Sequence, residues 1–397
     1  MAKTKKEKTF SKFLNNPFDF TLLITILLLL GIGLVMVLSA SSPSALSQFG
    51  DSYSFFSKQL LFAILGIIAM LFISKIDYRF YQKFYKHAWW ISLILLAAVL
   101  VIGTETNGAK RWISITRTLT IQPSEMVKML MIIFYAGILV KNRDDLPKYG
   151  KGFLKHIVLV LPIIGLLILE PHLSSSVVII GICSIMMIMA GCKFTHFAAT
   201  GATAGVPILT ALIIAAPYRL QRVITFLDPW KDATGDGWQV IQSLYAIGSG
   251  GLFGVGLGDS KQKYLYIPEP HNDFIFSILG EELGFIGCAV VLILFAIFIW
   301  RGILIAMRAP DMFGSLVAVG ITALVGIQVI INIAVVTSSM PATGMPLPFF
   351  SYRRYSIIYF TLRNGSITKY FKGSSKTIES INNEVEIAKQ HKLRIIR

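Results

Sequence analysis

The chain has 397 residues, 54% of them hydrophobic and only 15% charged, with a mean hydropathy of +0.67. That balance excludes an ordinary soluble domain. The net charge of +16 would suit nucleic acid, but its distribution removes that need. With the N-terminus inside, the loops on that side carry about twice the lysines and arginines of the loops opposite, as the positive-inside rule requires.

A basic tail over 1–19 opens the chain; it lacks the apolar core and cleavage site of a signal peptide. Apolar runs long enough to span a bilayer then follow near 20–40, 57–74, 88–103, 126–141, 154–170, 174–191, 194–216, 273–300 and 313–338. A tenth is expected after the Pro-rich turn at 341–348. The fold class is therefore all-α, a polytopic integral membrane protein with nine clear helices, an atypical tenth, and a long extracytoplasmic loop (216–272) between the seventh and eighth. Cys183, Cys192 and Cys288 fall in or beside spans and read as small buried residues, without disulfide or metal spacing.

The first polar cluster, over 107–128, holds Asn107, Lys110, Arg111, Trp112, Gln122, Pro123, Ser124, Glu125 and Lys128. Ser124 precedes the fourth span and can cap it. Glu125 and Lys128 are three apart, hence on one helical face, and can pair. An ion pair at the head of a membrane helix is either structural or lines a polar pathway; such groups normally face a cavity, which favours the pathway.

The long loop carries Arg219, Arg222, Asp228, Trp230, Lys231 and Trp238, a mixture that suits either headgroup anchoring or grasping a phosphate-bearing lipid. Its Gly-rich run, 246–258, lacks the strand and βαβ context of a nucleotide fingerprint. The glycines instead suit close backbone packing in a re-entrant or surface-lying segment beside a cavity. Next comes Pro268-Glu-Pro-His-Asn-Asp-Phe-Ile-Phe276. It sets Asp273 at the mouth of the eighth span, with Glu281 and Glu282 about two turns further in. A carboxylate there is a functional candidate by default, although Asn272 or Asp273 could simply cap the helix.

Taken together, Asn107-Gly-Ala-Lys-Arg-Trp112, Gln122-Pro-Ser-Glu-Met-Val-Lys128, Phe226-Leu-Asp-Pro-Trp230, the run 242–258, the segment 268–276 and Pro341-Ala-Thr-Gly-Met-Pro-Leu-Pro-Phe-Phe350 resemble the SEDS proteins. That family takes its name from shape, elongation, division and sporulation, and includes RodA, FtsW and SpoVE. The resemblance runs from about residue 17 to 352, with its motifs in order. It implies a ten-span peptidoglycan glycosyltransferase of the bacterial cell membrane, N-terminus cytoplasmic, that polymerises lipid II. The partners it implies are a class B penicillin-binding protein and other divisome or elongation proteins.

The resemblance also implies that Asp273 is the essential carboxylate and that Glu125, Lys128 and Arg111 surround the cavity, with Gln122, Ser124, His271 and Glu269 in the same motifs. A positioned carboxylate can take the proton of the acceptor hydroxyl as it attacks the anomeric carbon. Lys128, Arg111, Arg219 and Arg222 can stabilise the departing pyrophosphate. A divalent cation such as magnesium or manganese could share that charge, but no ligand cluster commits to one. An α-linked donor and a β-linked strand are consistent with a single inverting displacement.

Two departures stand out. Where the family carries an acidic residue in Gln/Glu-Pro-Asp, this chain reads Glu170-Pro-His172, which points to the division or sporulation branch. After Tyr352 the family's Gly-Gly-Ser/Thr and tenth helix give way to Arg353-Arg-Tyr-Ser356, and only 357–362 is apolar. Arg-Arg-Tyr-Ser can be coded so that removing one base yields Gly-Gly-Thr, so a frame shift over 353–397 is expected, with true divergence the alternative. Two rival functions remain, a lipid II flippase and a non-catalytic scaffold for a penicillin-binding protein.

Overall fold

The computed structural model describes residues 19–73, 78–106, 109–114, 120–235, 237–264 and 266–352. Asn107 and the atypical segment 353–397 lie outside them. Among the described residues nine helices or helix pairs are long and apolar enough to cross a membrane. The first and eighth spans run antiparallel, Asp19 lying beside Arg301 and Ser39 beside Glu282, which sets Asp19 on one face of the bundle and Asp273 on the other.

The helices are α1 (Phe20–Phe49), α2 (Ser54–Ile73), α3 (Arg79–Lys83), α4 (Tyr85–Ile102), α5 (Pro123–Lys141), α6 (Lys155–Leu169), α7 (Leu173–Ala190), α8 (Phe194–Thr200), α9 (Val206–Ile214), α10 (Pro217–Leu227), α11 (Trp238–Gly250), α12 (Ile275–Met307) and α13 (Met312–Val336). A π-helical turn at Gly201–Gly205 joins α8 to α9 into one span. Between α4 and α5 a small antiparallel sheet, β1 (Thr104–Thr106), β2 (Ala109–Ser114) and β3 (Thr120–Ile121), covers the second face in the order β1-β2-β3. No strand is expected there from the sequence, because segments of two to six residues are too short to show an alternation.

Burial grades the spans. In α13, 67% of the apolar window is buried, whereas in Phe194–Ile214 none is, so α13 is the central helix and α8–α9 the peripheral one. At the first face Asp19 caps α1 by accepting from Leu22 N at 3.0 Å, and Arg301 of α12 donates to its other oxygen at 2.6 and 3.0 Å. Asp19 is thus part of the folded body, one residue inside the expected boundary of the basic tail.

The long loop is largely structured. It holds amphipathic α10, a short turn at Pro229–Asp232, and α11. Beyond α11 the Gly-rich run lies against α12, which is broken at Gly284, where φ is 66° and ψ −165°. Val255 N and Gly256 N donate to the carbonyls of Glu281 and Glu282 at 2.9 and 3.1 Å. In return, Phe285 N and Ile286 N donate to Gly251 and Leu252 at 2.9 and 3.1 Å. The break therefore costs no unpaired backbone at these positions, a condition for non-helical chain inside a membrane bundle. A Cβ on Gly254 would sit 2.1 Å from the Glu282 carbonyl oxygen, so the approach requires glycine.

Candidate functional site

Asp273 precedes a half-helix, Ile275 to Leu283, that is buried all round except at Leu283. After Gly284, Phe285 and Ile286 are exposed. This contrast makes the half-helix an interior element and the rest of α12 a membrane-facing one. The N-cap position is Phe274, and no side chain caps the helix. Neither Asn272 nor Asp273 is the cap that local sequence allowed. Asn272 instead donates to Glu269 at 2.7 Å, and Glu269 is exposed on a backbone with φ of 46°.

The segment 341–352 builds the other wall. Ala342 O accepts from Arg222 Nη1 at 3.1 Å, and Thr343 O accepts from Ser174 Oγ at 2.6 Å. Gly344 follows, at φ 67°, where a Cβ would meet Asp273 Oδ2 at 3.3 Å. Met345 O accepts from Asn332 Nδ2 at 2.7 Å, and the same amide donates to Asp273 O at 2.8 Å. The strap thus brings Arg222, Ser174 and Asn332 around Asp273. It then dives into the bundle, where Phe349 and Phe350 are buried and a Cβ on Gly33 would overlap Phe349 O at 2.4 Å.

His271 is 4% exposed, its ring 4.7 Å from Phe55 and 5.7 Å from Tyr352. Its carbonyl accepts from Tyr352 N at 2.8 Å. Burial lowers its pKa to about 4, which keeps the ring neutral at pH 7. Its Nδ1 has no partner among the described residues.

At the head of α5, Lys128 Nζ donates to Glu125 Oε1 at 2.7 Å, with the lysine side chain fully buried and the glutamate 12% exposed. The pairing expected from spacing is present. Ser124 is not the cap: α5 begins at Pro123, Gln122 occupies the cap position without a side-chain cap bond, and the Ser124 hydroxyl is buried with no partner among the described residues. Proline at the first helical position explains the earlier start, since its missing N–H is one the helix would leave free. Arg111 on β2 donates to the backbone oxygens of Glu170 and Pro171.

Arg219 and Arg222 differ. Arg219 turns toward Tyr218 and the Leu212 carbonyl, at 2.8 and 3.0 Å, and so supports α10, whereas Arg222 is exposed and holds the strap.

Two functional-looking groups, Glu170 and Asn332, were not offered as site residues by the sequence. Glu170 is 1% exposed, both its carboxylate oxygens lack a partner among the described residues, and burial raises its pKa to about 8 against the opposing pull of Arg111. Burial therefore favours its protonated form. Asn332 was hidden inside an apolar run; an amide in such a run was the available signal. His172, at the family's acidic position, is buried and within 3.1 Å of Ser175 Oγ. Among the described residues no three His, Cys, Asp or Glu side chains converge as a metal site would need.

The profile of the FtsW/RodA/SpoVE family, described as cell cycle protein, matches residues 20–370. Stage V sporulation protein E of Bacillus subtilis is 45% identical over 349 residues, covering 87% of this chain and 95% of that protein. A probable peptidoglycan glycosyltransferase FtsW of Trichlorobacter lovleyi is 40% identical over 343 residues, covering 86% and 90%. Among solved structures, a chain of a peptidoglycan synthase complex that coordinates polymerization and crosslinking superimposes with a TM-score of 0.76 at 27% identity, over 90% of this chain and 98% of that one.

Proposed function

Because the chain belongs to the FtsW/RodA/SpoVE family of cell cycle proteins, we propose that it is a peptidoglycan glycosyltransferase that polymerises lipid II in the bacterial cell membrane, its N-terminus cytoplasmic and its Asp273 face extracytoplasmic. The observation that carries this reading is the setting of Asp273. It is a half-buried carboxylate at the mouth of an interior half-helix, with its backbone held by Asn332 and Gly344 alongside. Asp273 takes the proton of the acceptor sugar hydroxyl as that oxygen attacks the anomeric carbon, and the bond to the undecaprenyl pyrophosphate breaks in the same displacement.

Charge on the leaving pyrophosphate falls to the basic side chains of this face. Lys128 and Arg111 are set by α5 and β2, and Arg222 reaches the site through Ala342. Gln122, Ser124, His271 and Glu269 bind substrate around them. Ser124 suits this through its unpartnered buried hydroxyl, and neutral His271 can act only as an uncharged hydrogen-bonding group. A class B penicillin-binding protein is the partner, within the divisome or the spore-forming machinery.

A lipid II flippase is the second reading, favoured by one observation: a span broken into halves is a device of transporters. Purified protein with its partner, supplied with lipid II, separates the two. Glycan strands that vanish in Asp273→Asn support the transferase; lipid II translocation in vesicles without strand formation supports the flippase. A scaffold would leave both assays indifferent to Asp273.

A further inference from the structure

Glu281 and Glu282 are 2% and 1% exposed at the end of the half-helix that Asp273 precedes, and both bond to the loop before it; Glu282 Oε2 has no partner among the described residues. Glu281 accepts from Lys261 N at 2.9 Å, Gln262 N at 3.4 Å and the Ser260 hydroxyl, so it caps the turn 260–263. Glu282 Oε1 accepts from Lys263 Nζ at 3.0 Å and from Ser39 Oγ of α1 at 2.6 Å. An ammonium has three protons to give. Those of Lys263 go to Glu282, to Ser39 Oγ at 3.1 Å and to the Gly258 carbonyl. With its side chain 4% exposed, Lys263 has no donor left for a phosphate.

The chain from Lys263 returns within ten residues to Asp273. On the way Trp238 Nε1 donates to Tyr266 O at 2.6 Å, and Tyr352 N closes on His271 O at 2.8 Å. The half-helix and its leading loop therefore form a closed ring. Its closure is the Lys263–Glu282–Ser39 triangle, which also fastens it to α1. A buried ion pair contributes little to stability over an apolar replacement, but breaking one side leaves an uncompensated charge. Its use here is to fix a position.

We propose that Lys263 is a positioning residue for Asp273: by closing the ring onto Glu282 and Ser39 it sets the register of the half-helix, and hence the carboxylate, against the bound acceptor. This rests on the transferase reading above. Lys263→Met lowers kcat for lipid II polymerisation by about tenfold or more while KM stays within about twofold. The double variant Lys263→Met/Glu282→Gln removes the orphaned charge and keeps the Ser39 bond but leaves the ring open at residue 263, so its kcat stays within about threefold of the single variant. The pH profile of turnover does not move in either.

The measurement is made on the complex with its penicillin-binding partner, after gel filtration shows each variant assembled. A Lys263→Met variant that raises KM at unchanged kcat overturns the proposal, because Lys263 would then be touching substrate. A double variant that recovers to within about threefold of wild type overturns it too, because the orphaned charge and not the open ring would then be the cause. Should the single variant fail to accumulate, the double variant decides alone, by recovery or by loss. A wild-type complex that makes no glycan would instead remove the transferase reading itself.

Discussion

The side-chain amide of Asn332, in the central helix α13, donates to the backbone carbonyl of Asp273 at 2.8 Å and so fixes the carboxylate-bearing residue to the most buried span of the bundle. The same amide holds Met345 O. One side chain thereby couples the mouth of α12 to the strap that passes Asp273 Oδ2 at Gly344. Two backbone bonds from one amide define a position more tightly than a side-chain contact would, because neither carbonyl can rotate independently of its chain.

Asp273→Asn should abolish strand synthesis while leaving membrane insertion intact. The amide keeps the size of the side chain and the Asn332 bond to the backbone, but cannot accept the proton. A loss of about 10²–10⁴-fold is the scale for removing a general base. Near-wild-type polymerisation from lipid II by this variant, or by Asp273→Ala, would remove the base assignment.

Lys128→Met should cut turnover strongly, since it removes the ammonium that pairs with the largely buried Glu125. Lys128→Arg should keep part of the activity, because charge survives and geometry does not. Equal rates for the two variants would show that charge is not the role of Lys128. Lys148→Ala is the control. Its pair with Asp145 is exposed at the first face, and turnover should stay unchanged.

Stability should depend on pH through His271. Its folded pKa is depressed from 6.5 to about 4 by burial, so the unfolded chain binds the proton more readily. Folding is then weakened as pH falls from 6.5 toward 4, by up to roughly 3 kcal/mol at the acid end. His271→Phe retains the ring against Phe55 and Tyr352 and should flatten that part of the profile. Thermal unfolding of both proteins at pH 7 and pH 4.5 measures it, and parallel losses would exclude His271 as the source.

Gly284→Ala should destabilise the protein severely. The residue has φ of 66°, and an added Cβ would meet Gly254 N at 2.3 Å and Leu252 C at 2.7 Å, both backbone. This positive-φ, extended conformation, open essentially only to glycine, alone costs about 1–3 kcal/mol for a residue with a Cβ, before the overlap is counted. Gly31→Ala, in α1 with nothing within 4 Å, should be neutral or slightly stabilising. Equal unfolding temperatures for the two variants would contradict the packing of the Gly-rich run on the broken helix.

Reading the gene in the neighbouring frame after Tyr352 should reveal Gly-Gly followed by an apolar run of about 20 residues, enough for a tenth span. The family profile continues to residue 370, past the point where the motif departs. Absence of an apolar run in that frame would make the segment a true divergence.

Hydropathy alone located the nine spans, because a run of apolar residues is a local property that a bilayer reads directly, although α1 and α12 run on to Phe49 and Met307, past the expected ends at 40 and 300. The Glu125–Lys128 pair was equally legible, since helical spacing brings residues three apart together. Motif order was enough to assign the family and single out Asp273. What the sequence could not determine were partners separated by long stretches of chain. Lys263 stood in an apparently exposed loop until Ser39, from 224 residues earlier, and Glu282 enclosed its ammonium. Ser124 looked like a cap, yet Pro123 starts the helix before it and leaves the hydroxyl buried. Gly284 lay unmarked inside an apolar run. Only the packed Gly-rich segment, which supplies the hydrogen bonds a broken membrane helix would otherwise lose, makes that break affordable.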